Sequence, residues 1–239
     1  MFNQLTSSLL LPVGLAFFLL NGCVTQAQNV NRSQDNNTAL TQASGATPHP
    51  ALKDSSLATE TAPDKFKVKF STTKGDYTVE VNRAWSPNGA DRFYNLVKIG
   101  YFQDVAIFRA IKGFMYQFGI HGDPAISAVW GEANITDDPN AGISNAPGTI
   151  CFAKTGAPNS RSTQMFVNLG NNAALDGQGF TPFGTVVEGM DVVRKINTEY
   201  GENPRNENIQ GDFKRKGNAY IMKRYPNIDL IKSVTLIGD

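Results

Sequence analysis

Residues 108–119 read Phe-Arg-Ala-Ile-Lys-Gly-Phe-Met-Tyr-Gln-Phe-Gly, apolar almost throughout but with one arginine, Arg109, and one neutral amide, Gln117. A strand sends alternate side chains to opposite faces. Two short strands bent near Lys112 and Gly113 therefore show Arg109, Met115 and Gln117 to one surface, and Phe108, Ala110, Tyr116 and Phe118 to the other. A guanidinium and an amide beside a thioether and aromatic rings suit a site that holds a chain segment by its apolar side chain and its carbonyls together. An apolar strand pair with one arginine at its edge is also common without any function, and this stretch alone does not separate the two readings.

The surrounding pattern is mostly short strands. Phe66, Val68 and Phe70 alternate with lysines, and Tyr77, Val79 and Val81 alternate with polar residues, which predicts a hairpin of half-buried strands turning at 74–76. A helix follows, with Ser86 as N-cap, Pro87 in its first turn, Ala90, Phe93, Tyr94 and Val97 on one face, and Gly100 just past its end. Further strands are expected at about 105–111, 114–118, 149–153, 164–169, 183–187 and 234–237, and a second helix at 190–197. Many strands with two substantial helices predict a mainly β fold, a closed and mostly antiparallel barrel.

A second stretch gives the first its meaning. Residues 153–169, Ala-Lys-Thr-Gly-Ala-Pro-Asn-Ser-Arg-Ser-Thr-Gln-Met-Phe-Val-Asn-Leu, are followed by Leu175-Asp176-Gly177, Phe183-Gly184 and Val187-Glu188-Gly189-Met190. Together with Phe-Arg-x-Ile-x-Gly-Phe-Met-x-Gln, these motifs resemble the two signatures of the cyclophilin-type peptidyl-prolyl cis-trans isomerases, over roughly 65–239. The resemblance implies an eight-stranded antiparallel barrel capped by two helices, no cofactor and no metal, and proline-containing peptide segments as partners. It puts the catalytic arginine at Arg109 and its supporting glutamine at Gln117. The proline pocket falls at Phe114, Met115, Phe166 and Leu175, with Phe180 and Phe183 near its rim or floor, and the backbone at Lys154 and Thr155 pairs with the peptide. Three departures stand out: Phe108 where many members have histidine, Ala174 where cyclosporin-sensitive members have tryptophan, and Phe180 where some have histidine. Weak cyclosporin binding is therefore expected. A binding scaffold or chaperone using the same groove is the alternative function.

The N-terminus reads as targeting. Residues 9–20 form an apolar run too short to span a bilayer, which needs about 20 residues, but suited to the core of a signal peptide over 1–22. The run ends in Leu20-Asn21-Gly22-Cys23, similar to a bacterial lipoprotein processing site, so Cys23 is the expected lipidated residue and membrane anchor. Cleavage after Ala27, or retention as an uncleaved anchor, stays open, since 1–8 carry no Lys or Arg. Residues 23–64, rich in Gln, Asn, Ser, Thr and Ala, read as a disordered linker, with the folded domain at 65–239. The expected location is the periplasmic side of a bacterial membrane, the outer membrane favoured by Val24 after Cys23; a soluble exported form is the alternative. The expected state is a monomer.

Other chemistries lack material. A net charge of +1 and no basic run argue against nucleic acid. With only His49 and His121, a histidine-rich metal site cannot be built, and no Gly-x-Ser-x-Gly, Cys-x-x-Cys or phosphate loop occurs. Cys151, inside an apolar run, reads as a buried small hydrophobe. Residues 120–145, with Trp130, and 200–226, rich in Asn, Lys and Arg, have no role that the sequence supplies.

Overall fold

The computed structural model describes residues 47–203 and 207–238. The expected signal peptide, Cys23 and the start of the expected linker lie outside the described residues.

The hairpin forms as the alternation predicts. β1 (Lys65–Thr72) pairs with β2 (Gly75–Asn82) from Lys65 opposite Asn82 to Thr72 opposite Gly75. The Thr72 hydroxyl closes the turn, accepting from the Lys74 amide at 3.0 Å and donating to the Gly75 carbonyl at 2.7 Å. Next along the chain come β3 (Val105–Ala106), β4 (Arg109–Ile111), β5 (Met115–Phe118), β6 (Thr149–Phe152), β7 (Met165–Asn168), β8 (Pro182–Glu188) and β9 (Leu230–Ile237). Among the described residues these make one antiparallel sheet in the order β3-β9-β1-β2-β8-β6-β7-β5-β4. Its two end strands, β3 and β4, are joined by Ile107 and Phe108 alone, so the sheet curls until its ends meet there. The expected continuous strand at 105–111 is broken at those two residues, which makes nine strands of the eight anticipated. The barrel interior is aromatic: Phe70 stacks on Tyr77 at 4.7 Å, and Phe93 lies 5.1 Å from Phe183. Each such buried ring contributes about 1.5–3 kcal/mol.

The helices depart from expectation. α1 (Pro87–Lys98) is where the sequence put it, but the Ser86 side chain makes no bond to its amides. Asp138 caps α1 instead: its carboxylate accepts from the Asn88 and Gly89 amides, each at 2.9 Å, and from the Ser86 hydroxyl. α2 (Pro124–Gly131) lies in the segment that had no assigned role. The helix expected at 190–197 shrinks to α3 (Met190–Val193), because the Asn197 amide is drawn away to the Asp229 carboxylate at 2.6 Å. The long second helix is α4 (Glu207–Arg224), inside the polar excursion. Its few apolar residues suffice because Phe213, Ile221 and nearby Tyr225 bury together with Phe108 and Ile120. Phe108 therefore has a structural task, packing 6.3 Å from Phe213. α4 breaks at Gly217, whose φ of 69° and close approach to the Gly122 carbonyl leave no room for a Cβ.

Order begins before Lys65, which corrects the linker boundary. Residues 50–52 and 55–57 form 3₁₀ turns, and Ala51, Leu52 and Ala62 are buried. Composition misled here because a few apolar residues and long-range hydrogen bonds to polar side chains suffice to fix this segment. Asp91 accepts from the Ala62 amide at 2.8 Å, Asn95 bonds both backbone groups of Glu60, and fully buried Trp130 donates to the Ala51 carbonyl at 3.1 Å.

Candidate active site

The β4–β5 ladder sets Arg109 directly opposite Gln117 and Ile111 opposite Met115. Gly113, with φ at 73°, makes the bend between the two strands. The expected face therefore exists. Arg109 Nη1 donates to Gln117 Oε1 at 3.1 Å and lies 4.0 Å from the Met115 sulfur. The guanidinium carbon sits 5.7 Å from the centroid of the Phe114 ring. Gln117, only 7% exposed, passes the arrangement on by donating from Nε2 to Gln164 Oε1 at 3.0 Å.

Beside the arginine lies a small apolar cluster. Met115, Phe166 and Cys151 are buried, and Ile111, Phe114, Ala153, Leu175 and Phe180 pack against them partly exposed. Phe166 and Phe180 meet edge to face at 5.7 Å. Phe114, Met115, Phe166 and Leu175, the four residues expected at the pocket, thus pack in one cluster with Phe180, next to the Arg109 guanidinium. Phe183 does not belong to it. It is 0% exposed and packs against Phe93 and Phe152 inside the barrel. The chain enters β8 at Pro182, so Phe183 lies in a core strand and not beside Phe180, where the resemblance had put it.

A groove of about 1200 Å³ runs on from Gln117 and Ala153, lined by Lys154, Thr155 and Gln164 on the sheet side and by Glu202, Gln210, Arg224 and Tyr225 on the other. The excursion at 200–226 is thus one wall of the groove. The Lys154 ammonium is held 3.6 Å from Asp137, and the Thr155 amide already donates to the Ser160 hydroxyl at 3.0 Å.

Two residues that sequence reasoning missed organise the site. Asn145 is fully buried; its amide donates to Asp176 Oδ1 at 2.7 Å and to the Phe180 carbonyl at 2.9 Å, fixing the rim loop. The Asn145 side-chain amide, with the Ser144 hydroxyl and the Asn145 backbone N–H, holds the Asp176 carboxyl below its ordinary range. Asn145 Oδ1 also accepts from the Cys151 thiol at 3.0 Å. The second residue is Glu202, whose carboxylate grips Arg109. Neither carries a local signal, since an Asn and a Glu in polar loops are ordinary.

Burial pushes the Cys151 thiol well above its usual range. The thiolate is the reactive form, so Cys151 is expected to resist iodoacetamide at about pH 8 in the native chain and to label fully in urea, as peptide mapping by mass spectrometry would show. Native labelling at the unfolded rate would contradict the described burial.

The fold and this constellation define a protein class. A family model described as cyclophilin type peptidyl-prolyl cis-trans isomerase/CLD matches residues 67–214, and the chain belongs to that family. Peptidyl-prolyl cis-trans isomerase B of Escherichia coli (strain K12) is 32% identical over 136 residues, which are 54% of this chain and 82% of that one. The isomerase cyp18 of Streptomyces antibioticus is 32% identical over 136 residues, 54% of this chain and 81% of that one. A crystal structure of a Cryptosporidium parvum cyclophilin type peptidyl-prolyl cis-trans isomerase has a TM-score of 0.54 at 19% identity, covering 73% of this chain and 99% of that one. At that identity the likeness is one of fold. The same protein was also solved in the presence of the dipeptide Ala-Pro, with a TM-score of 0.53 at 19% identity, over 72% of this chain and 99% of that one.

Proposed function

We propose that the Arg109 face isomerises X-Pro bonds in exported proteins, and that Cys23 ties the domain to a membrane. The observation that carries the catalytic part is a partly buried cation beside an apolar cluster. Arg109, its side chain 13% exposed, is held between Gln117 and the Phe114 ring beside Met115 and Phe166. An amide resists twisting with a barrier of about 20 kcal/mol, and no bond needs to break, so no nucleophile is required. The pocket of Phe114, Met115, Phe166 and Leu175 grips the proline ring while the preceding carbonyl rotates. In the twisted state the prolyl nitrogen loses conjugation and becomes a better hydrogen-bond acceptor. An always-charged guanidinium donates to it, or to a neighbouring carbonyl, more strongly than in either planar state. With the Thr155 amide already bonded, the Lys154 backbone is the part that pairs with the peptide.

The test is cis-trans exchange of a short X-Pro peptide with the full chain, alongside peptide binding. Acceleration with saturable binding supports the enzyme. Binding without acceleration would leave a groove that works as a scaffold. Cyclosporin is expected to bind weakly, because exposed Ala174 gives the rim no aromatic surface.

Export and anchoring rest on the apolar run 9–20 and on Leu20-Asn21-Gly22-Cys23. Cys151 supports the lipid reading indirectly, since it is buried against Asn145 and offers Cys23 no disulfide partner at the surface. Cys23→Ser is expected to move the chain from the detergent phase to the aqueous phase in a Triton X-114 partition of expressing cells. Unchanged partitioning would overturn the anchor.

A further inference from the structure

We infer that Glu202 is a positioning residue for Arg109, contributed by the polar excursion at 200–226; this role rests on the isomerase reading of the Arg109 face. Gly201 forms an antiparallel bridge with Ala110 on β4, the end strand of the sheet. One step along each strand, that register puts Glu202 opposite Arg109. The β4–β5 ladder puts Gln117 opposite Arg109 on its other side. Arg109 is therefore the middle member of a cross-strand row, Glu202–Arg109–Gln117, and its carboxylate partner is placed by backbone pairing.

The contacts follow that register. Glu202 Oε2 accepts from Arg109 Nε at 2.9 Å and Oε1 from Nη2 at 2.6 Å, while Gln117 Oε1 accepts from Nη1 at 3.1 Å. A two-pronged carboxylate fixes the plane of a guanidinium as well as its place. Three N–H groups meet oxygen acceptors; of the other two, the one on Nη1 has only the Met115 sulfur, 4.0 Å away, and the one on Nη2 is left for a substrate. Both belong to the end of the guanidinium that faces the apolar cluster. Glu202 takes the opposite edge, through Nε, from the groove wall that the excursion forms. It aims the arginine from that wall, with Met115 on the other side of the guanidinium.

The alternative is an inhibitory carboxylate that competes with substrate for Arg109, and kinetics separate the two. With the full chain and a short X-Pro peptide, Glu202→Ala is expected to lower kcat about tenfold while KM moves by less than about twofold. Glu202→Gln, which keeps one acceptor, is expected to lose less. The Arg109 Nε–H resonance is expected to exchange slowly with solvent in the unaltered chain and to broaden away in Glu202→Ala, a readout that general destabilisation would not single out. An equal or higher kcat in Glu202→Ala, or an unchanged Nε–H resonance, would overturn the role. If the unaltered chain gave no acceleration, the isomerase reading would fall and this role with it. Acceleration that survives Glu202→Ala intact would remove this role alone.

Discussion

Arg109→Ala is expected to slow X-Pro isomerisation by about 10²- to 10³-fold while peptide affinity changes by only a few fold. The magnitude is that of removing a preorganised donor from a site where charge redistributes in the transition state. The asymmetry between rate and binding follows from geometry. The apolar grip comes from Met115, Phe166, Phe114 and Leu175, and of these Phe114 meets the guanidinium through its ring face and Met115 through its sulfur, while Phe166 and Leu175 have no such contact. Ground-state peptide affinity is thus carried mostly by residues that the substitution leaves alone, whereas the twisted amide loses its donor. Arg109→Lys is expected to recover little. An ammonium is a point donor and cannot bond Glu202 through two prongs while also reaching Gln117. Line-shape analysis of exchange in a proline peptide gives the rate, and titration of the same peptide gives the affinity. Equal losses in both would mean that Arg109 is a binding residue and that the twisted state is stabilised elsewhere.

What the sequence made legible here is whatever depends on local period. The alternation in 65–82 implied the hairpin, although its turn falls at 73–74 rather than 74–76, and the alternation in 108–119 put Arg109, Met115 and Gln117 on one face. The residues expected at a proline pocket came through the likeness of two signatures, and the structure packs Phe114, Met115, Phe166, Leu175 and Phe180 together. Phe183 failed because a rim loop and a core strand are separated there by a single turn. Distances of another kind were invisible. Asp138 and Arg161 are bonded across the insertion, Gly201 pairs with Ala110, and Trp130 meets Ala51; in each case the partners are ordinary in their own neighbourhoods. The excursion at 200–226 read as polar because α4 keeps only a narrow apolar stripe, and Phe213 and Ile221 on that stripe are matched to Phe108 in a segment far away in the chain.

The same long-range logic makes Asp138→Ala the substitution with the largest expected effect on stability, a loss of about 5 kcal/mol. Asp138 and Arg161 have side chains 1% and 3% exposed, with Nη2 and Oδ2 3.0 Å apart. Removing one partner of a buried ion pair costs about 3–5 kcal/mol, because the other charge is left away from water without its hydrogen-bonded counter-charge. Asp137 is a poor substitute: its Oδ1 is 3.3 Å from Arg161 Nε, and neither atom finds a hydrogen-bond partner. The lost cap on α1 adds to the cost, since the Asn88 and Gly89 amides would be left unpaired, an effect of about 1 kcal/mol. For a folded unit of this size the sum corresponds to a fall in Tm of about 10 °C, readable by calorimetry or urea titration. Asp138→Asn keeps an acceptor for the helix but not the charge, so its loss is expected to be smaller. The decisive comparison is the double variant Asp138→Ala with Arg161→Met, in which no charge is stranded. It is expected to be more stable than Asp138→Ala alone, with what remains of the loss coming from the cap. If the two losses simply added, the pair would not be coupled, and the insertion that carries Asp138 would be holding α1 through its cap alone.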